Sequence, residues 1–303
     1  MGAFQGPREW GKLLTAMLTP FNADGGVNYD EAAKLAAYLV DVQKNDGLVI
    51  NGTTGESPTL SETEKLQLLT TVLDAVGDRA SVIFGAGSYN TAESVTMAKE
   101  AEHRGAHGIM LVNPYYNRPG QEGLYAHFST IAREVGLPVL LYNIQPRAAI
   151  NLETPTLLRL AEIPNIVGVK EASGMIGQIA DVAAQAPEGF RVYSGDDGLT
   201  LPILSVGGMG LVSVVAHIVG AQLKEMIEVY PTNPKRALEV HQELMPIFKT
   251  LFSAPSPTPV KYATSLNGFD CEDVRLPLVK LNDEQKKIVR EAVAPYIRTA
   301  ASV

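Results

Sequence analysis

The chain has a single cysteine, Cys271, among its 303 residues. One thiol cannot close an intramolecular disulfide, and the lack of any Cys-x-x-Cys pattern excludes a cysteine-based zinc site. Its neighbours Asp270 and Glu272 disfavour a thiolate, so Cys271 is expected to be structural. Positive charge is also scarce. The 25 Lys and Arg stand against 33 Asp and Glu, for a formal net charge of −8, and form no cluster. No nucleic-acid partner is expected. No uninterrupted apolar run is long enough to span a bilayer, and residues 1–7 lack the basic-then-apolar order of a secretory leader. The expectation is therefore a soluble cytoplasmic protein with no membrane partner. A glycine-rich dinucleotide turn is missing too. After the first apolar run the chain reads Thr19-Pro20-Phe21-Asn22-Ala23-Asp24-Gly25-Gly26, which argues against an open doubly wound sheet.

What is present is alternation. Hydrophobic residues make up 46% and charged residues 19%, the balance of a soluble enzyme. Apolar runs lie at 13–18, 47–50, 81–84, 108–112, 138–142, 166–170, 190–193 and 210–215. Each is nearly continuous, as a parallel strand covered on both faces should be. Helical patterns fall between them, at 29–43, 61–76, 91–104, 121–135, from 154, and at 175–186, 199–206 and 223–230. Ser61-Glu62-Thr63-Glu64 reads as a capping box, Gly105 and Gly136 as helix stops, and Thr154-Pro155 as a helix start. Eight strand–helix units are the number that closes a (β/α)8 TIM barrel, an α/β fold, here assigned to residues 1–230. After residue 230 only helical stretches remain, at 233–252, 259–266 and 283–300. They predict a C-terminal helical appendage over 231–303, with a proline-rich connection at 253–259.

Barrel enzymes build their sites at the carboxyl ends of the strands. Lys170 closes the run Ile166-Val167-Gly168-Val169-Lys170. A desolvated amine loses its proton more readily, and a neutral amine attacks carbonyls to form imines. A strand-end lysine reaching water is the plain alternative. Strand two ends in Asn51-Gly52-Thr53-Thr54-Gly55-Glu56, where paired hydroxyls between glycines suit a small anion or merely satisfy a turn. Strand four leads into Asn113-Pro114-Tyr115-Tyr116-Asn117-Arg118-Pro119, whose phenols serve chemistry or packing. Strand five ends in Tyr142-Asn143-Ile144-Gln145-Pro146-Arg147, and strand seven in Ser194-Gly195-Asp196-Asp197. An amine, a phenolic proton carrier and a carboxylate-binding cation at one end of one barrel is the set a Schiff-base enzyme needs.

These segments, with Thr15-Ala16-Met17-Leu18-Thr19-Pro20-Phe21, Pro257-Thr258-Pro259-Val260-Lys261 and Arg275-Leu276-Pro277-Leu278, resemble the dihydrodipicolinate synthase family of pyruvate-dependent aldolases. The likeness covers nearly the whole chain, and the combination of spaced motifs is specific although each alone is weak. It implies that Lys170 forms an imine with pyruvate, and that the derived enamine attacks L-aspartate 4-semialdehyde. No cofactor beyond that covalent imine is implied. Tyr142, Thr53 and Tyr116 would relay protons, with Tyr116 supplied by a neighbouring subunit of a homodimer or homotetramer. Thr54 would bind the pyruvate carboxylate, Arg147 the acceptor carboxylate, and the backbones of Gly195 and Val212 would line the pyruvate side. Thr53-Thr54 favours the synthases over the neuraminate lyases, where serine-threonine is usual. The chain departs from the family at Gln145-Pro146-Arg147-Ala148, where the shifted proline alters the loop that carries Arg147.

The family resemblance also bears on feedback by lysine. Histidine-type positions of sensitive relatives are here Glu62 and Lys65, and an asparagine position is Tyr89, while Glu93 and Tyr115 remain compatible. Lys65 would repel a cationic effector, so weak or absent inhibition is expected. Three rival readings stand beside the synthase. One is an aldolase of the same superfamily acting on a sugar acid such as N-acetylneuraminate or 2-keto-3-deoxygluconate. Another is a metal-dependent hydrolase using His103 and His107, although Gly105 lies between them and no HExxH accompanies them. The third is a non-catalytic sensor of small acids.

Overall fold

The computed structural model describes residues 9–297. Eight parallel strands close a barrel in sequence order: β1 (Leu13–Ala16), β2 (Gly47–Ile50), β3 (Ser81–Gly85), β4 (Gly108–Val112), β5 (Val139–Asn143), β6 (Ile166–Glu171), β7 (Arg191–Ser194) and β8 (Gly210–Ser213). Around them run α1 (Tyr29–Asp41), α2 (Glu62–Val76), α3 (Thr91–His103), α4 (Gln121–Arg133), the one-turn α5 (Gln145–Ala148), α6 (Thr154–Ala161), α7 (Ile176–Gln185), α8 (Thr200–Ser205) and α9 (Ala216–Val229). Three more helices follow: α10 (Pro234–Thr250), α11 (Thr258–Ser265) and α12 (Asp283–Val293). The expected barrel with later helices is the fold observed. Among the described residues no helix is long and apolar enough to cross a membrane.

Strand periodicity sorts the core into two layers. Leu14, Val49, Ile83, Met110, Leu140, Tyr142, Tyr193 and Val212 fill the barrel interior, with Trp10 joining them. Alternate residues such as Leu13, Leu48, Phe84, Leu111, Leu141 and Leu211 face the helices. That outer layer is continuous with Val240, Leu244 and Ile247 of α10 and Val260 and Ala263 of α11, so the appendage shares the barrel's hydrophobic core. The capping box at Ser61 and Glu64 forms as expected, and a second one at Asn282 and Gln285 opens α12.

Element ends shift for identifiable reasons. The first run leaves the sheet early: Met17 N still donates to Val49 O, but Leu18 N donates to the ring Nε2 of His217 instead. The last run stops at Ser213 because the amides of Val214 and Val215 turn to the Asp197 carboxylate. α9 then begins at Ala216, seven residues before the helix predicted at 223, and carries non-helical dihedrals at Val219. The β-branched segment Ile218-Val219 hid this start. α12 gives way to a 3-10 turn at Ala294–Tyr296, and the rest of the stretch predicted to 300 lies outside the described residues.

Candidate active site

Lys170 reaches the barrel interior through a β-bulge. β5 and β6 pair Val139 with Ile166 but Leu140 with Gly168, so β6 carries one extra residue, Val167. Val167 faces inward and Val169 outward. Were the pairing regular from Ile166 onward, Lys170 would fall opposite Asn143 of the outward face and turn toward the helices. With it, Lys170 pairs with inward-facing Tyr142 and is only 4% exposed. Its ammonium lies 4.1 Å from the centre of the Tyr142 ring.

The next strand makes room for the lysine stem. A Cβ at Gly195 would stand 3.0 Å from Lys170 Cγ and 3.1 Å from its Cε, closer than packed carbons tolerate. Gly195 is held there by its amide, which donates to Glu171 O at 2.7 Å. Thr53 lines the same cavity as the Tyr142 phenol and lowers its pKa through hydrogen bonding. Burial draws the Lys170 pKa down to about 8, with the Asp197 carboxylate opposing and the Arg147 guanidinium assisting. Burial pushes the Tyr142 phenol up to about 12, against the Arg147 charge and the Thr53 hydrogen bond. The lysine can thus shed its proton near neutral pH while the phenol keeps its own.

A cavity open to solvent lies beside this pair, lined by Thr53, Tyr142, Asn51, Gly85, Met110 and Tyr115 among others. In the turn after β2, the amides of Gly55, Glu56 and Ser57 donate back to the carbonyls of Gly52, Thr53 and Gly52. The amides of Thr53 and Thr54 lie outside that set, next to their own hydroxyls. This arrangement suits a carboxylate. Thr54 is buried, and Val212 lies fully buried at the end of β8 in register with Leu14. Arg147 is exposed on α5 and bears on Lys170 and Tyr142 through its charge. Pro146 opens that single turn rather than breaking it, as proline can in a first turn. Tyr116 is not brought to Lys170 within this chain: it is 93% exposed, with a left-handed φ of 69°.

Three contributors carried no assigned role in the sequence. Asp197 is 1% exposed, accepts from Ser213 Oγ and from the amides of Val214 and Val215, and is lifted by burial to about 6. Asn143, on the outward face of β5, donates to Glu171 Oε1 at 2.6 Å and accepts from Asn113 at 2.9 Å, tying three strand ends together. Lys261, far off in sequence, ion-pairs with Glu56 of the threonine turn. An amide residue directly after an apolar run was the available signal for Asn143; Asp197 comes four residues after its run, and nothing local marked Lys261. Cys271 is buried, and burial raises its thiol to about 12, in keeping with a structural residue. Among the described residues no three His, Cys, Asp or Glu side chains gather as a metal site, and His107 Nδ1 accepts from the Val82 amide.

Comparison with known proteins accords with this geometry. The profile of the "Dihydrodipicolinate synthetase family" matches residues 9–295. A 4-hydroxy-tetrahydrodipicolinate synthase of Symbiobacterium thermophilum is 51% identical over 287 residues, covering 94% of this chain and 97% of the relative. One of Bacillus subtilis is 49% identical over 280 residues, covering 92% and 96%. The solved dihydrodipicolinate synthase of Bacillus anthracis superposes with a TM-score of 0.92 at 42% identity, over 95% of this chain and 99% of that one. The enzyme of Cyanidioschyzon merolae, solved with lysine bound, gives 0.92 at 41% identity, over 94% and 97%. The chain belongs to the dihydrodipicolinate synthetase family.

Proposed function

We propose that this protein condenses pyruvate with L-aspartate 4-semialdehyde to give 4-hydroxy-tetrahydrodipicolinate, with Lys170 as the covalent catalyst. The observation that carries the mechanism is the buried Lys170 amine packed on Tyr142, with Thr53 lining the same cavity as the phenol. The neutral amine adds to the keto carbon of pyruvate, and the carbinolamine loses water to leave an imine. Tyr142 and Thr53 deliver and collect the protons of these steps. The Thr53–Thr54 turn holds the pyruvate carboxylate, and Gly195 and Val212 border the methyl and keto side. A proton leaves the methyl carbon, and the enamine attacks the aldehyde to form the new carbon–carbon bond. The acceptor's own amine then displaces Lys170 from the imine carbon, closing the ring and freeing the enzyme. Arg147, exposed at the rim, holds the acceptor carboxylate.

Relatives 51% and 49% identical bear the synthase name, which favours this acceptor over a sugar acid. Tyr116 completes the proton relay from a second subunit. Its exposure and its left-handed backbone, a conformation that costs a bulky residue about 1 kcal/mol, support a role outside its own chain. Borohydride reduction with pyruvate, followed by mass analysis, tests the imine. The expected result is a reduced adduct on the Lys170 peptide and none in Lys170→Arg, whose guanidinium is not nucleophilic at neutral pH. Pyruvate binding without an adduct would instead identify a sensor, and turnover by Lys170→Arg at the native rate would remove the assigned role.

A further inference from the structure

The motif Pro257-Thr258-Pro259-Val260-Lys261 takes no part in the chemistry above, yet it buries an ammonium completely. Lys261, on α11, is 0% exposed, and its Nζ lies 2.6 Å from Glu56 Oε1 and 2.9 Å from Thr19 O. It also sits 4.2 Å from the centre of the Phe21 ring. Glu56 is buried as well, and its second oxygen accepts from the Arg275 amide at 3.0 Å. Burial presses the Lys261 pKa down while the Glu56 carboxylate holds it up.

Such a pair is a poor device for stability. Each buried ion loses its hydration, and well-packed apolar residues of like volume commonly serve a fold as well or better. Its connections explain its presence. Both partners of Lys261 grip the same turn. Glu56 adopts a left-handed conformation with φ 55° directly after Gly52-Thr53-Thr54-Gly55, and its amide donates to Thr53 O at 3.1 Å. Thr19, whose carbonyl Lys261 holds, donates through Oγ1 to Gly55 O at 2.7 Å. Phe21 lies between Lys261 and the Arg275 guanidinium, 4.5 Å from the latter. That guanidinium donates to Glu64 on α2 and to Thr59 O at 2.7 Å. The threonine turn is therefore held from the C-terminal part of the chain, by Lys261 of α11 and by Arg275 in the segment after it.

We propose that Lys261 is a positioning residue for catalysis, setting the Thr53–Thr54 turn for the pyruvate carboxylate and the Tyr142 relay through its ion pair with Glu56. This rests on the function proposed above. Wild type, the apolar double variant Lys261→Met/Glu56→Leu and the near-isosteric Glu56→Gln separate the two ideas. Failure of wild type to form the reduced Lys170 adduct would overturn the imine mechanism itself. With that adduct present, the apolar variant is expected to fold and still form adduct at saturating pyruvate. Its KM for pyruvate is expected to rise about tenfold or more, with a lower kcat, as misplacement of a binding group produces. Native stability with both constants within about twofold of wild type would make the pair purely structural and end the proposal. Should the double variant fail to fold, Glu56→Gln decides. A natively folded Glu56→Gln protein with raised pyruvate KM supports the proposal, and one with unchanged KM overturns it.

Discussion

Lys170 shows how function and stability oppose each other at one residue. Its folded pKa of about 8 lies below the ordinary 10.5. Between these values the unfolded chain still holds the proton that the folded chain has released, so stability rises with pH across that window and is lowest below it. At pH 7 the buried ammonium therefore costs up to about 3 kcal/mol, from 1.36 kcal/mol per pKa unit. Lys170→Met is expected to be more stable than wild type by up to this amount in urea unfolding at pH 7, while losing adduct and turnover. A less stable variant would show that the ammonium is solvated. Under the proposed mechanism the same pKa sets the pH dependence of imine formation. The rate of borohydride trapping with pyruvate should climb through pH 8 and level off above it as the free amine accumulates. Arg147 depresses the Lys170 pKa by charge, so Arg147→Ala should move this rise to higher pH. An unmoved profile would place the guanidinium out of electrostatic reach.

At the scale of elements, the site depends on how β5, β6 and β7 lie against one another. Gly195 follows β7 where the Lys170 stem crosses it. Gly195→Ala would place its methyl carbon 2.9 Å from Ala172 Cβ as well as against the lysine. The lysine must then move by a few tenths of an ångström or more, and adduct formation should slow by about tenfold to a hundredfold. Circular dichroism should stay native, because the position follows the strand rather than lying within it. Adduct formation at the wild-type rate would show that the lysine has slack. The barrel itself was legible in the sequence because eight apolar runs alternate with helical patterns, and Lys170, Tyr142, Thr53 and Gly195 were legible because each closes or follows such a run. The direction of Lys170 was not. Ile166-Val167-Gly168-Val169 is apolar toward both layers, so no alternation marks the bulge at Val167 that turns the lysine inward. The one-turn α5 escaped for a related reason, since four residues containing a proline carry no helical period. The Lys261–Glu56 pair joins residues some 205 positions apart, a relation that local pattern does not encode.

At the scale of the whole molecule, two surfaces lie beyond the Lys170–Tyr142 pair. A cleft lined by Ser57, Glu62, Lys65, Ser88 and Glu93 adjoins the cavity through Asn51. Burial lowers the Lys65 pKa, while Glu62 and Glu93 support its charge. A resident ammonium already facing both acids leaves little attraction for a second one, so about 1 mM lysine should leave the initial rate unchanged; half-inhibition below that concentration would contradict this reading. The second surface carries Tyr116. If this phenol serves the site of a neighbouring subunit, Tyr116→Phe and Lys170→Met damage different sites of an assembly even though each disables its own homo-oligomer. In a mixed dimer, the Lys170 of the Tyr116→Phe subunit receives an intact phenol from the Lys170→Met subunit, while the other site carries both lesions. Random mixing makes half the dimers hybrid, each with one whole site of two, so activity should recover to about a quarter of wild type by the symmetry of an isologous pair. Co-refolding or co-expression of the two variants measures this directly, and hybrids separated by a charge tag should reach about half of wild type. A phenol acting within its own chain would leave every site of the hybrid defective, and recovery would stay at the background of the separate variants.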